Sequence, residues 1–149
     1  MRETFEISDR YIDAGDANGL LYEPLEGGAT YRSTRRYEVK FKGDKAALEA
    51  FIKKTLLDPI SQELHEGQDP ALDGYSFVLE YGMKPGALDL EKEAILSYYR
   101  GIEDPGFKLK DLRIRQRIYL FDGKSDDSDR FVRDICNAAI HNWNVIKAG

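Results

Sequence analysis

The sequence predicts an α+β protein in which an antiparallel sheet carries helices packed on one face. Two patterns lead to this expectation. Some runs alternate polar and apolar residues, as half-buried strands do. In others, apolar residues recur at i, i+3 and i+4, as in amphipathic helices. The two kinds of run alternate along the chain of 149 residues.

Composition and charge restrict the functional class. The chain is 42% hydrophobic and its net charge is −5, which is typical of an ordinary globular protein and argues against a general nucleic-acid binder. No apolar run approaches the roughly 20 residues of a membrane-spanning helix, and the first residues do not resemble a signal peptide. A single cysteine, Cys136, excludes an internal disulfide. We therefore expect a cytoplasmic protein that binds neither nucleic acid nor membranes.

The first 36 residues show no helical period. Phe5 to Ile7 fit a short strand, and Asp13 to Gly19 have the composition of a turn. From Tyr31 to Phe41 the chain becomes extended and ends in an alternation of apolar and charged residues. We expect a hairpin between residues 20–25 and this extended run.

A helix is predicted over Lys45 to Leu57, and Pro59 ends it. Residues 65–74 then combine two glycines, a proline and no hydrophobic period, as a linker would. We therefore divide the chain into a first unit of residues 1–64 and a second unit of residues 75–149. The apolar positions of the helix are Leu48, Phe51, Ile52, Thr55 and Leu56.

The second unit begins with a predicted strand at Tyr75 to Tyr81. A helix follows to about Arg100, with Asp89 as its N-cap and Gly101 placed to stop it. After a loop, the chain enters its longest strand-like run.

This long strand covers Asp111 to Phe121, where apolar and basic residues alternate. We expect the alternation to change phase at Gln116 and Arg117. Ile118 and Leu120 would then need a β-bulge to share the face of the preceding apolar residues.

The most strongly patterned segment is Phe131 to Ile146. Its apolar stripe predicts an amphipathic helix. The preceding residues are expected to supply N-cap oxygens and negative charge at its N-terminus, and they are Ser125, Asp126, Asp127, Ser128 and Asp129. His141 to Ile146 are expected to leave this helix as a short exit segment that forms a last strand. The stripe comprises Val132, Ile135, Cys136, Ala139, Ile140 and Trp143.

The same helical pattern occurs in both units. Leu48 matches Val132 and Phe51 matches Ile135 at a constant offset, and each helix follows a strand-like run. We interpret the chain as two divergent copies of one β-α-β-α unit, the first of them degenerate.

A set of motifs in the second unit matches a known family: Lys84-Pro85-Gly86, Leu88-Asp89, Ala94-Ile95, the strand Arg113–Leu120, Cys136, Asn142 and Val145-Ile146. In these motifs the unit resembles the small PurS-type subunit of formylglycinamide ribonucleotide amidotransferase, also called phosphoribosylformylglycinamidine synthase. The run from YEVKF to LLDPIS resembles the C-terminal part of another copy. Such tandem copies resemble the N-terminal region of some long-chain members.

The sequence also departs from this family. There the turn continues Asp-Pro-x-Gly, whereas Leu90 follows Asp89 here, and residues 1–36 lack the first strand–helix pair of a complete copy.

The resemblance implies a non-catalytic accessory subunit or domain of this purine-biosynthesis enzyme. It would bridge the synthetase and glutaminase parts, which are the implied partners, and would itself carry no catalytic group, cofactor or metal. A homodimer is a further expectation. The alternative is a small α+β ligand-binding or regulatory module that oligomerises through its sheet edges. An enzyme in its own right is the third hypothesis and the weakest, because no catalytic motif is present.

Basic residues on the long strand are the candidate contact residues. Arg113, Arg115 and Arg117, with Tyr119 beside them and Lys84 in the preceding turn, would contact a partner or an anion. Guanidinium groups suit phosphates and carboxylates. The alternative interpretation is a solvated strand face that pairs with the acidic loop before the last helix.

Overall fold

A computed structural model describes residues 1–148. Within these residues, three helices lie on one face of a seven-stranded antiparallel sheet, and the predicted α+β class is confirmed. The strands are β1 Arg2–Asp9, β2 Gly15–Asp16, β3 Thr30–Gly43, β4 Gln62–Glu66, β5 Phe77–Met83, β6 Phe107–Phe121 and β7 His141–Lys147. The helices are α1 Lys45–Leu56, α2 Leu90–Arg100 and α3 Ser128–Ile135. In this described part of the chain, each helix is too short or too polar to cross a membrane.

The sheet is symmetric about its two central strands. Its order is β4-β1-β3-β6-β5-β7, and β2 adds a short pair to β3. β3 and β6 pair antiparallel from Thr30 opposite Phe121 to Gly43 opposite Phe107. On one side β1 lies between β3 and β4, and on the other β5 lies between β6 and β7. Apart from β2, each half therefore contributes three strands in the same arrangement.

Two apolar clusters lie between the sheet and the helices. In the first, α1 and α2 cover β1, β3 and the first part of β6. In the second, α3 and a short 3-10 helix at Ala17–Leu20 cover β5 and the second part of β6. α2 thus packs beside α1 of the other half, where the rings of Phe51 and Tyr99 are 5.9 Å apart. The packing of α2 against α1 therefore joins the two halves of the sheet.

Side-chain caps set the limits of α1 and α2. The Asp44 carboxylate accepts a hydrogen bond from the Ala46 backbone N–H at 2.9 Å, and Asp89 accepts one from the Lys92 N–H at 3.1 Å. At the end of α2, the Gly101 N–H donates to the Tyr98 carbonyl at 3.2 Å. The predicted starts and ends of both helices agree with the structure to within one residue.

The last helix is shorter than predicted. It ends at Ile135, so the expectation that Ala139 and Trp143 continue its stripe is wrong. Asn137 competes with the helix, because its side-chain oxygen accepts from the Ala139 N–H at 3.0 Å and its own N–H donates to His141 Nδ1 at 3.0 Å. The chain then pairs with the free edge of β5 as β7, and the predicted exit strand is confirmed.

The predicted change of phase at Gln116 and Arg117 is also wrong. The register between β3 and β6 is continuous there, and its one irregularity lies between Lys40 and Phe41. Gln116 is simply a polar residue in an otherwise apolar series on the helix face. That series is Leu112, Ile114, Gln116, Ile118 and Leu120.

The predicted hairpin between residues 20–25 and 31–41 is absent from the described structure. β1 takes that place beside β3, with Phe5 opposite Tyr37. Both of these side chains are buried under the helices. Residues 20–25 contain Pro24, which has no N–H to donate to a sheet. The strand expected near Phe5 is confirmed and is longer than predicted.

Residues 67–76, which we call the strap, cross the sheet face opposite the helices. The predicted linker, residues 65–74, begins two residues too early, because β4 continues to Glu66. In the strap, the Gln68 side-chain oxygen accepts a hydrogen bond from Arg36 at 2.7 Å. The strap is therefore bound to the sheet and covers part of its second face.

Cys136 follows the last residue of α3 and packs, partly buried, against the second apolar cluster. Burial raises the pKa of its thiol to about 11. The thiolate is the reactive species, so we expect Cys136 in native protein to react with a thiol reagent at pH 8 roughly a hundredfold more slowly than in denatured protein. The release of a chromophoric leaving group measures both rates. Similar rates would show that the thiol is freely accessible and not desolvated.

Candidate functional site

A buried ionic network lies beneath the strap. Glu6 on β1, Arg36 on β3, Glu80 on β5 and Arg117 on β6 all point to the face opposite the helices. Arg117 Nη1 is 2.6 Å from Glu6, Arg117 Nε is 2.9 Å from Glu80, and Arg36 Nη1 is 3.4 Å from Glu80. Arg117 and Glu6 are each only 2% exposed. The network therefore joins four strands through buried charges.

Hydrogen bonds complete the network around Glu6. The Thr34 hydroxyl donates to its carboxylate at 2.6 Å, and the Ala71 N–H of the strap donates to it at 3.2 Å. The Tyr119 hydroxyl donates to it as well. Burial, helped by this bond to Glu6, raises the pKa of Tyr119 to about 12.

Arg117 stays charged inside this network. Burial alone would lower the pKa of its guanidinium group, but the carboxylates of Glu6 and Glu80 outweigh that effect and raise it. An arginine with both carboxylate partners in place has a structural role, since breaking such a pair would leave a buried charge uncompensated.

Two of the predicted contact residues thus lie inside the protein. Arg117 and Tyr119 are buried beneath the strap, and a partner docking on this surface does not reach them. Sequence reasoning missed Glu6 and Glu80, because a glutamate that alternates with apolar residues is the usual sign of a solvated strand face. The strap makes that face an interior.

The other three candidates, Lys84, Arg113 and Arg115, line one cavity of about 170 Å³, which we call the turn cavity. β5 pairs with β6 only from Gln116 to Leu120. Beyond that point the chain leaves β5 through the Lys-Pro-Gly turn, and the turn closes over the edge of β6. The lining residues are Met83 to Ala87, Asp89, Lys92 and Asp111 to Arg115.

Positive charge exceeds negative charge in the turn cavity. Four cationic residues line it, together with two acidic residues, Asp89 and Asp111. Lys92 pairs with Asp111 at 3.4 Å. Lys84 donates to the main-chain carbonyl of Ala138, and no ion pair neutralises it within residues 1–148. The cavity therefore presents a lysine that protein carboxylates leave unbalanced.

The two arginines of the cavity have only distant carboxylates. Arg113 is 4.0 Å from Glu38, and Arg115 is 4.0 Å from Glu80. Both glutamates make shorter contacts with Arg36, at 3.0 Å and 3.4 Å. Burial, and next the charge of Arg113, lower the pKa of Arg115.

Gly82 makes room for Arg115. A Cβ atom at this glycine would lie 2.7 Å from the Ile114 carbonyl oxygen and 2.9 Å from Arg115 Cδ. The guanidinium group is also held by Asn142 of β7, whose side-chain oxygen accepts from Nη1. Arg115 is therefore fixed in place by its neighbours.

A larger groove of about 510 Å³ adjoins the turn cavity on the strap side of the sheet. Pro85, Asp111 and Arg113 line both. The rest of the groove is formed by the first residues of β1, by β3 and by Gln68 of the strap. A molecule bound in the turn cavity can thus extend into open space.

Exposed apolar side chains surround the same turn. Met83 is the last residue of β5, and the Lys84 N–H that follows it donates to the Ile140 carbonyl. Trp143 on β7 is 42% exposed, and Leu88, just after the turn, is 67% exposed. We call Met83, Leu88, Leu90, Ile140 and Trp143 the apolar patch.

Comparison of the chain with protein-family models, with curated proteins and with solved structures found no match. The chemistry of the turn cavity and the apolar patch therefore follows from their own residues and geometry.

Proposed function

We propose that this chain is a non-catalytic accessory subunit or domain of the purine-biosynthesis amidotransferase that makes formylglycinamidine ribonucleotide. In this role it bridges the synthetase and glutaminase parts of that enzyme. The symmetric sheet carries the proposal, because β3-α1-β4 and β6-α3-β7 occupy equivalent places in the two halves of the sheet. This arrangement supports a tandem of two PurS-like units, residues 1–64 and 75–149.

The apolar patch is the proposed docking surface for the synthetase part. Protein interfaces draw most of their binding energy from a few residues, among which tryptophan and arginine are enriched. Trp143 and Leu88 supply exposed apolar area on this surface. A synthetase surface that presents exposed apolar side chains has the complementary chemistry.

A second candidate function follows from the edge of the sheet. β7 is an outer strand of seven residues, so its outward backbone groups are available to another strand. A module that oligomerises through β7 would extend the sheet across two copies. Sedimentation at increasing protein concentration distinguishes this association from a monomer.

Reconstitution tests the proposed function. The purified chain is mixed with its cognate synthetase and glutaminase, and amidine formation from glutamine is measured with and without it. We expect activity to require the chain. Leu88→Ala combined with Trp143→Ala should raise the concentration needed for half-maximal activity at least tenfold, since it removes two anchors from the interface. Full activity without the chain, or turnover by the chain alone, would exclude the accessory role.

The matched control is Tyr11→Ala combined with Ile60→Ala. These side chains are 77% and 78% exposed and lie near the β1–β4 side of the sheet, away from β7. The two control substitutions remove comparable apolar surface, and we expect them to leave the concentration for half-maximal activity unchanged. Arg117 is unsuitable for this test, because its loss would disturb the fold.

A further inference from the structure

The turn cavity has the charge, the rigidity and the size of a binding site for a small anionic group. We propose that it binds an oxyanion, the phosphate or carboxylate group of a small molecule, through Lys84, Arg113 and Arg115. This inference does not rest on the proposed accessory function, and a chain with either role can bind the anion.

Within residues 1–148, the three cationic side chains lack a close carboxylate. Lys84 directs its ammonium group to a neutral carbonyl, and the two arginines have carboxylates only at 4.0 Å. Arg113 is half-exposed, and the close acceptor of the Arg115 guanidinium group is the neutral side-chain oxygen of Asn142. An oxyanion between these three side chains would supply the missing negative charge. It would also offset the burial and the repulsion from Arg113 that lower the pKa of Arg115.

Two of these side chains are held in place by their neighbours. Asn142 holds the Arg115 guanidinium, Gly82 leaves the space for it, and the Ala138 carbonyl holds Lys84. Side chains that are already oriented lose little conformational entropy when a ligand binds.

Size restricts the ligand to one anionic group. The cavity of about 170 Å³ is smaller than the roughly 300–1,000 Å³ of sites that enclose a whole drug-sized ligand. The adjoining groove of about 510 Å³ shares Arg113 with it and has polar walls of both charges. The geometry fits a polar molecule whose phosphate or carboxylate enters the cavity while the remainder lies in the groove.

An NMR titration with inorganic phosphate and, separately, with acetate tests the site. Ionic strength is held constant with sodium chloride. We expect saturable shifts of the backbone N–H signals of Gly82, Gly86 and Ala87. Shifts with phosphate alone, or stronger with phosphate, identify a phosphate-group ligand, and shifts with acetate alone identify a carboxylate.

Matched variants make the test specific. Lys84→Gln and Arg115→Gln should each weaken binding about tenfold, as expected for the loss of one charge-assisted hydrogen bond. Lys53→Gln removes the same charge from an exposed position on α1 and should leave binding unchanged. Lys84 has an exposed side chain, so Lys84→Gln still decides the question if Arg115→Gln fails to fold.

Two results would overturn the inference. One is a set of shifts that sodium chloride alone reproduces, which would show only general screening. The other is unchanged phosphate and acetate binding in folded Lys84→Gln. Neither result affects the reconstitution test, which depends on Leu88 and Trp143.

Discussion

Replacing Arg117 with alanine is expected to lower the free energy of unfolding by about 3–5 kcal/mol. The substitution leaves the carboxylates of Glu6 and Glu80 without their closest cation, and both glutamates are buried beneath the strap. A buried, unpaired charge costs more than the ion pair itself contributes, because no partner replaces its lost hydration. A carboxylate in that position either stays charged or takes up a proton, and both cost free energy at neutral pH. Urea denaturation followed by circular dichroism measures the change.

Arg113→Ala is the matched control for this substitution. Arg113 lies on the same strand and the same face, but its side chain is 48% exposed and its carboxylate partner is 4.0 Å away. We expect it to change the free energy of unfolding by less than about 1 kcal/mol. If the two variants were equally stable, the network under the strap would not be closed to solvent.

A double substitution separates the ion pair from the packing around it. Glu6→Gln removes one of the two charges that Arg117→Ala leaves uncompensated. The combined variant should therefore lose less stability than the two single losses together. Strict additivity would show that Glu6 and Arg117 do not interact energetically.

Replacing Phe131 with alanine is expected to cost about 3–5 kcal/mol as well. Phe131 is fully buried in the second apolar cluster, and its ring centroid is 5.5 Å from that of Phe77. α3 has only eight residues, and a helix of that length is not stable by itself in water. Its attachment to the sheet therefore depends on this ring.

Denaturation combined with hydrogen exchange measures the effect of Phe131→Ala. We expect the α3 amides to lose protection more than those of α1, which packs on the other apolar cluster. Tyr22→Ala is the control, since Tyr22 is an aromatic residue with 84% exposure and should change stability by no more than about 0.5 kcal/mol. Equal protection of α1 and α3 in the Phe131 variant would contradict the local role of this ring.

Local chemistry was sufficient to predict α1 and α2. Both helices begin after an aspartate whose carboxylate binds a nearby backbone N–H, and α2 ends at Gly101. Caps act over three or four residues, so they are visible in the sequence without knowledge of the fold. The apolar positions of α1 were predicted for the same reason, because helical spacing is itself local.

The end of α3 is determined by strand β5, which comes from another part of the chain. Ala139, Ile140 and Trp143 have helical spacing, yet β5 offers an unpaired edge to the same segment. Pairing with β5 satisfies the backbone of His141 to Lys147 and buries part of Val145. Helical periodicity alone does not reveal such an edge, since β5 begins more than 60 residues earlier in the chain.

In strand β6, the direction of each side chain follows from the local sequence, whereas its burial depends on the rest of the fold. The alternation in Asp111 to Phe121 places Arg113, Arg115 and Arg117 together on one face, because successive side chains of a strand point to opposite sides. Whether that face meets water depends on what crosses it. The strap covers Arg117 with Glu6 and Glu80, whereas Arg113 and Arg115 lie beyond it under the Lys-Pro-Gly turn. Arginines on one face of one strand thus have different environments: Arg117 forms buried ion pairs, and Arg113 and Arg115 line a cationic cavity. The difference arises because contacts distant in sequence determine which side chains solvent reaches.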